Sequence, residues 1–416
     1  MNKLRKPIYF TAGYNTISFG SGRREFHPKK PRPGIEHYIN EAGRGVIDQI
    51  NNPENIDEGV IGNFMAARFN RQGNLAGLIP DIHPSLEYKP HVRVEGACGS
   101  GGLAFMTAMK TILADVADVV LTIGTEVQNT VKAIYGADIL AGAGHYAGER
   151  KNGHAYFFPS KFDERAGACY EKFGHDYIRK AMALWYKQAV ENARKNPKAQ
   201  EYHNSFEDLF AVGMTPPNPK VFLPNINVFD CSKVSDGASA LIIASEEGLK
   251  KLEIPKSETV EILGYGQSEA NLTKPPVDKT KLTTTRDAVA KAFNMSGLTT
   301  KDIGVLEVHD CFTISGLLAL EACGFAKYGE GAAMVTDGKT NFGSELPTNA
   351  TGGLVGFGHY TGGTGVRQAV DLLHQLTGKA GNSQVNIDPN RPYGLMISMG
   401  GNDKTVVSAI FKRAEA

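Results

Sequence analysis

Short apolar runs alternate along the chain with longer stretches whose apolar residues recur at helical spacing, the pattern of an α/β fold. One such pattern occurs twice. In the first half GVIGNFMAARF (59–69) is followed by VRVEGACGSGG (92–102), then by a predicted amphipathic helix, LAFMTAMKTILADVA (103–117), and a predicted strand, DVVLTIGTE (118–126). In the second half DIGVLEVHDCF (302–312) is followed by TGGLVGFGHYTGGTG (351–365), then VRQAVDLLHQLTG (366–378) and the strand YGLMISMGG (393–401). Each half reads strand, later glycine-rich loop, helix, strand. Two related halves packed about a pseudo-twofold axis would bring both glycine-rich loops to one centre.

Between the halves, 130–225 reads differently. It holds YFFPSKFDERAGACYEKFG, an amphipathic stretch near 176–197 and a proline-rich exit, TPPNPKVFLPN. Its many aromatics predict an insertion with packing of its own, not a flexible linker. FDCSKVSDGASALIIAS (229–245) then returns to turn-plus-strand chemistry, with Ser235, Asp236 and Gly237 shaping the turn.

Composition narrows the function classes. Hydrophobic residues make up 41% of the 416 and charged residues 21%, which suits a globular protein with a substantial core. Net charge is +1, from 45 basic and 44 acidic residues, so there is no global electrostatic case for nucleic acid or an anionic membrane. A local basic patch for a phosphorylated ligand stays open. MNKLRKPIYFTAGYNTISFG lacks the apolar core of a secretory signal, and no apolar run approaches the ~18 residues of a membrane span. The five cysteines (Cys98, Cys169, Cys231, Cys311, Cys323) include no CxxC pair, so reduced thiols in the cytoplasm are expected.

Four places could carry chemistry. Cys98 follows a strand-like run and precedes Gly99, Ser100, Gly101 and Gly102, which open a helix. The helix dipole and free amides there favour thiolate, as a sulfur nucleophile needs; a buried structural cysteine is the alternative. Gly99, Gly101 and Ala104 also fit G-x-G-x-x-A, with Glu126 ending the next strand, a dinucleotide-binding pattern that ranks second because it leaves the later histidines unexplained. His309 and Cys311 lie two apart, so in a continuing strand both side chains face one way. They could pair a hydrogen-bond donor with a proton carrier, or be an ordinary buried pair. A metal there would need further ligands that no spacing supplies, so no metal is expected. Asp310 between them would cap or bridge.

His359 sits in GFGHYTGGTG, where core packing explains a histidine poorly, and is the strongest candidate base. His145, His154 and His175 lack such contexts, and His374 falls within a helix. Finally, SMGGND (398–403) places Gly400 and Gly401 after a strand, where amides could meet an oxyanion or simply turn the chain.

EGACGSGG, DCSKVSDGASALIIAS, EVHDCF and GFGHYTGGTG, in this order, resemble the thiolase superfamily over nearly the whole chain, from GVIGNF to SMGGND. The sterol-carrier-protein-type branch, with its archaeal and bacterial acetyl-CoA acetyltransferase-like members, is the most similar. The resemblance implies two duplicated βαβαβαββ halves in a layered αβαβα arrangement. The first half would comprise 1–129 and 226–258, an inserted loop domain 130–225, and the second half 259–416. It implies CoA-dependent cleavage of a 3-oxoacyl-CoA, or the reverse Claisen condensation, through acyl-Cys98. His359 would activate that thiol, His309 would help hold the thioester oxygen, and Cys311 would be the acid/base cysteine. The amides of Cys98 and Gly400 would form a second oxyanion hole.

Two departures stand out. Ser398 occupies the place where many degradative thiolases carry their C-x-G cysteine, which leaves proton transfer to Cys311, and Tyr360 follows His359 where proline is common. CoA is implied as co-substrate, with no permanently bound cofactor. A homodimer core and a small zinc-ribbon/OB-fold partner protein are implied too. Tyr156, Phe157, Phe158 and Phe162 could line a bulky acyl pocket such as benzoylsuccinyl-CoA needs, or pack the insertion. The alternatives are a decarboxylating condensing synthase, a catalytically silent scaffold or lipid-binding subunit and, third, a nicotinamide enzyme.

Overall fold

The apolar runs that read as strands without alternation, VVLTIGTE and GASALIIA, are buried at every position, as strands covered on both faces must be. The computed structural model describes residues 4–150 and 153–415. Its nine strands are β1 (Tyr9–Asn15), β2 (Glu58–Gly62), β3 (His91–Val94), β4 (Val119–Glu126), β5 (Gly237–Ala244), β6 (Val260–Glu269), β7 (Ile303–Glu307), β8 (Tyr393–Gly400) and β9 (Thr405–Arg413). They hydrogen-bond in the order β3-β2-β4-β5-β1-β6-β9-β8-β7.

The duplication expected from the sequence is visible in this order. β2 runs parallel to β4, β4 antiparallel to β5, and β5 antiparallel to β1. In the second half β7 runs parallel to β8, β8 antiparallel to β9, and β9 antiparallel to β6. β3 extends the first half beyond β2, and a single parallel bridge, Leu306 to Thr348, extends the second beyond β7. The halves join through a short pairing of β1 with β6, Tyr9 to Glu261 and Phe10 to Val260.

Helices Ser100–Leu113 and Thr364–Thr377 pack on each other and touch strands of both halves. They form the middle layer. Ile35–Ile47 covers β1, β4 and β5 from outside, and Thr283–Ser296 covers β6, β8 and β9. The result is a layered α/β fold, with the middle helices starting at the two glycine-rich loops.

At the crossing of the two helices, Gly365 leaves no room for a side chain. A Cβ there would lie 2.1 Å from the Gly102 nitrogen, and one on Gly101 would lie 2.8 Å from the Gly365 nitrogen. Backbone meets backbone, which only glycine permits.

The inserted stretch is helical, with Phe157–Phe173 and His175–Ala193 its longest elements. It is not packed by itself. Phe162, Ala166, Met182 and Trp185 share one apolar cluster with Val308, Ile314, Leu317 and Ile397 of the second half. The buried Arg179 guanidinium donates to both Asp230 carboxylate oxygens at 2.7 Å, and Thr313 Oγ1 donates to the same carboxylate at 2.7 Å. This ties the insertion to the segment just after Cys311.

Candidate active site

Cys98 sits on a tight turn between β3 and the helix Ser100–Leu113. Ala97 takes a left-handed φ of 54°, and the Ser100 hydroxyl donates to the Ala97 carbonyl at 2.6 Å while accepting from the Gly96 amide at 3.0 Å. The turn presents the sulfur to a cavity of about 730 Å³ also lined by His309, Cys311 and His359. Sγ of Cys98 and one ring nitrogen each of His309 and His359 lie within 4.8 Å of one another. Residues far apart in sequence thus meet because the two halves place their loops at one centre. Three of them also form a donor set that could hold a metal ion, which sequence spacing did not reveal.

His359 is held from four sides. Its amide donates to the Ser235 hydroxyl (2.9 Å) and the Lys233 carbonyl (3.0 Å), and its carbonyl accepts from Gln128 Nε2 (2.7 Å). Its Nδ1 lies 2.7 Å from Thr364 Oγ1, and that hydroxyl donates onward to the Tyr360 carbonyl at 3.3 Å. The hydroxyl lone pair therefore receives Nδ1–H, leaving Nε2 buried, without a partner and free to accept a proton. His309 is 2% exposed with neither ring nitrogen bonded, and its ring stands edge-on to His359 at 5.2 Å between centroids.

β7 ends at Glu307, so His309 and Cys311 do not share a strand face as expected; they lie in the loop before helix Thr313–Ala322. Asn349 pulls the chain off the strand by accepting from the Val308 amide (2.8 Å) and donating to its carbonyl (3.2 Å). Both residues still reach the cavity. Asp310 points away, accepting from Trp185 Nε1 at 2.9 Å and the Leu354 amide at 2.7 Å. Cys311 Sγ contacts Ser315 Oγ at 3.7 Å.

Burial dominates the electrostatics. It pushes the Cys98 thiol up to about 12, with Glu126 adding to the effect and the Gly401 amide pulling back. Burial thus works against the thiolate that the helix terminus would favour. Burial likewise drives His359 down to about 3 and His309 well below the ordinary imidazole value, with Arg367 contributing to both. Burial, then Cys98, raises Cys311. The uncharged forms of the thiol and of both imidazoles are therefore favoured.

Gly400 is in backbone contact with the Cys98 turn: a Cβ on it would lie 2.1 Å from the Gly96 carbonyl and 2.9 Å from the Gly99 amide. Gly401, its neighbour, lines the cavity. Glu126 is no ribose ligand. Its buried carboxylate accepts from Asn63 Nδ2, the Phe64, Met65 and Gly362 amides and the Thr361 hydroxyl, tying the loop after β2 to the loop that carries His359. The dinucleotide reading fails on that occupancy and on the helix crossing at Gly101. Asp236 is likewise structural, accepting from the Gln128 and Asn129 amides at 2.7 and 2.8 Å.

Tyr156, Phe158 and Phe162 line the cavity, and Phe222 and Phe229 join them; Phe157 instead turns into the core. Phe162 stacks on Phe312 at 4.4 Å beside Cys311. His145, His154 and His175 lie outside the cavity, and His374 Nε2 bonds the Gly13 carbonyl. Thr364, Asn349, Ser315 and Glu126 were missed as supports. Thr364 was in view within the glycine motif, but its role depends on where Nδ1 points.

The chain is similar to known proteins over most of its length. A family model described as thiolase C-terminal domain-like matches residues 266–413. An acetyl-CoA acetyltransferase of Methanothermobacter thermautotrophicus is 32% identical over 377 residues, covering 90% of this chain and 94% of its own. The benzoylsuccinyl-CoA thiolase subunit BbsB of Thauera aromatica is 25% identical over 93% of each. Among solved structures, the Ltp2-ChsH2(DUF35) aldolase superposes with a TM-score of 0.78 at 19% identity over 99% of each chain.

Proposed function

The chain belongs to the thiolases, in their sterol-carrier-protein-type branch, and from that premise we propose how its residues carry the activity. The enzyme is a CoA-dependent acyltransferase acting on 3-oxoacyl-CoA esters, in cleavage or in the reverse condensation, with CoA as co-substrate. The observation that supports the assignment of roles is the convergence of the Cys98 sulfur with ring nitrogens of His309 and His359 inside 4.8 Å.

In cleavage, His359 Nε2 takes the Cys98 proton as the sulfur attacks the keto carbon. Because burial favours both uncharged forms, proton transfer accompanies the attack, and no charge is buried beforehand. The carbon–carbon bond breaks to leave acyl-Cys98 and an acyl-CoA enolate, whose oxygen is held by His309 and the protonated His359. Cys311 donates its proton to the carbanion. Free CoA returns a proton to Cys311 and attacks acyl-Cys98 while the Cys98 and Gly400 amides hold the tetrahedral oxyanion, and the departing Cys98 sulfur takes back the proton held by His359. Each such preorganised donor is worth roughly 3–4 kcal/mol in comparable sites. Cys98→Ala is expected to abolish thiolysis while leaving the fold intact. Persistent turnover by that variant would overturn the mechanism.

The aromatic lining and the cavity of about 730 Å³ support a bulky acyl group, which thiolysis rates across acetoacetyl-CoA and aromatic 3-oxoacyl-CoA esters test. We further place a homodimer core in the cytoplasm with a small zinc-ribbon/OB-fold partner protein. The naming of one relative as a subunit and the paired naming of the aldolase support a partner. No helix among the described residues is long and apolar enough to cross a membrane.

A further inference from the structure

The two imidazoles of the site leave more open nitrogens than the proposed thiol chemistry uses. Three imidazole nitrogens at the bottom of the cavity, both of His309 and Nε2 of His359, are buried without any hydrogen-bond partner. Burying an imidazole nitrogen unpaired is costly, so these atoms are poised for a ligand. The Cys98 sulfur completes the set, with the three donor atoms within 4.8 Å of one another. Donors around a tetrahedral zinc ion at 2.0–2.3 Å stand about 3.4 Å apart, so small side-chain rotations close the set on one ion.

We propose that Cys98, His309 and His359 form a three-ligand site for a divalent cation of the zinc class, which holds the enzyme reversibly inactive. One thiolate and two imidazoles are the borderline-soft donors such a cation selects, and the cavity leaves the fourth position to water. On binding, Cys98 forms a sulfur–metal bond and its proton leaves to solvent. The nearby Arg367 is engaged by Asp371 and Glu307. Thr364 holds the His359 ring through Nδ1, so Nε2 is the metal-facing atom. An ion there occupies the nucleophile, the base and the oxyanion donor at once.

The inhibition, though not the metal binding, rests on the catalytic roles proposed above. Cobalt(II) added to the metal-free full chain separates the two. The expected result is a thiolate-to-cobalt charge-transfer band that saturates at one equivalent, disappears when zinc displaces cobalt, and is absent from Cys98→Ser, which differs by one atom. His309→Asn is expected to weaken the same band. No band, or an unchanged band in Cys98→Ser, overturns the site. In parallel, one equivalent of zinc is expected to remove most thiolysis by the wild type, and a chelator to restore it. A band without loss of activity overturns the inhibitory role. Failure of Cys98 to acylate in metal-free buffer would instead count against the catalytic reading and leave the cobalt result standing.

Discussion

At the scale of single residues, the account turns on which nitrogen of His359 carries the proton. Thr364 settles it, because its hydroxyl proton goes to the Tyr360 carbonyl and its oxygen receives Nδ1–H. Thr364→Val keeps the shape and removes that acceptor. It is expected to lower kcat roughly 10²-fold with little change in KM, and Thr364→Ser is expected to restore most of the loss. A parallel fall in kcat and thermal stability without rescue by serine would mean a packing role only. His359 also makes stability depend on pH. Its folded value of about 3 lies below the ordinary 6.5, so below 6.5 the unfolded chain binds a proton the folded chain refuses. Its contribution is complete above that value and is lost progressively as pH falls towards about 3. The urea midpoint should therefore drop between about pH 7 and about pH 5, and drop less in His359→Asn. Cys98 and His359 were legible from their glycine-rich contexts. Thr364, Asn349 and Ser315 were not, because hydrogen-bond directions follow from folded geometry and not from residue spacing.

At the scale of elements, the catalytic loops are set by the crossing of Ser100–Leu113 with Thr364–Thr377, where Gly101 and Gly365 let the backbones touch. Gly365→Ala is expected to cost about 1–3 kcal/mol, read as a fall in the urea midpoint, since its Cβ would meet backbone that cannot rotate away. An unchanged midpoint would mean the crossing is looser than the contact distances say. The sequence pattern located both helices and the strands β4 and β8 within a few residues. It carried the EVHDCF strand too far, because the apolar run continues through Val308 while Asn349 captures the Val308 backbone and ends β7 at Glu307. A partner distant in the chain decided that boundary.

At the scale of the whole molecule, duplication puts the first half's nucleophile loop and the second half's histidine loop at one centre, and the insertion supplies much of the aromatic wall. The alternation of strands and helices and the repeated loop order made this fold legible from sequence. That the insertion shares its core with the second half was not, because Trp185 and Ile314 carry no sequence mark of their contact. We propose that the functional units follow the boundaries 1–129 with 226–258, 130–225 and 259–416. The central claim is that the acyl group passes through Cys98. The most direct test is intact mass and peptide mapping of the protein after incubation with acetoacetyl-CoA and a bulkier aromatic 3-oxoacyl-CoA. The account predicts one acyl adduct on the peptide containing Cys98, discharged by free CoA. Turnover with no adduct, or an adduct confined to another cysteine, would contradict it.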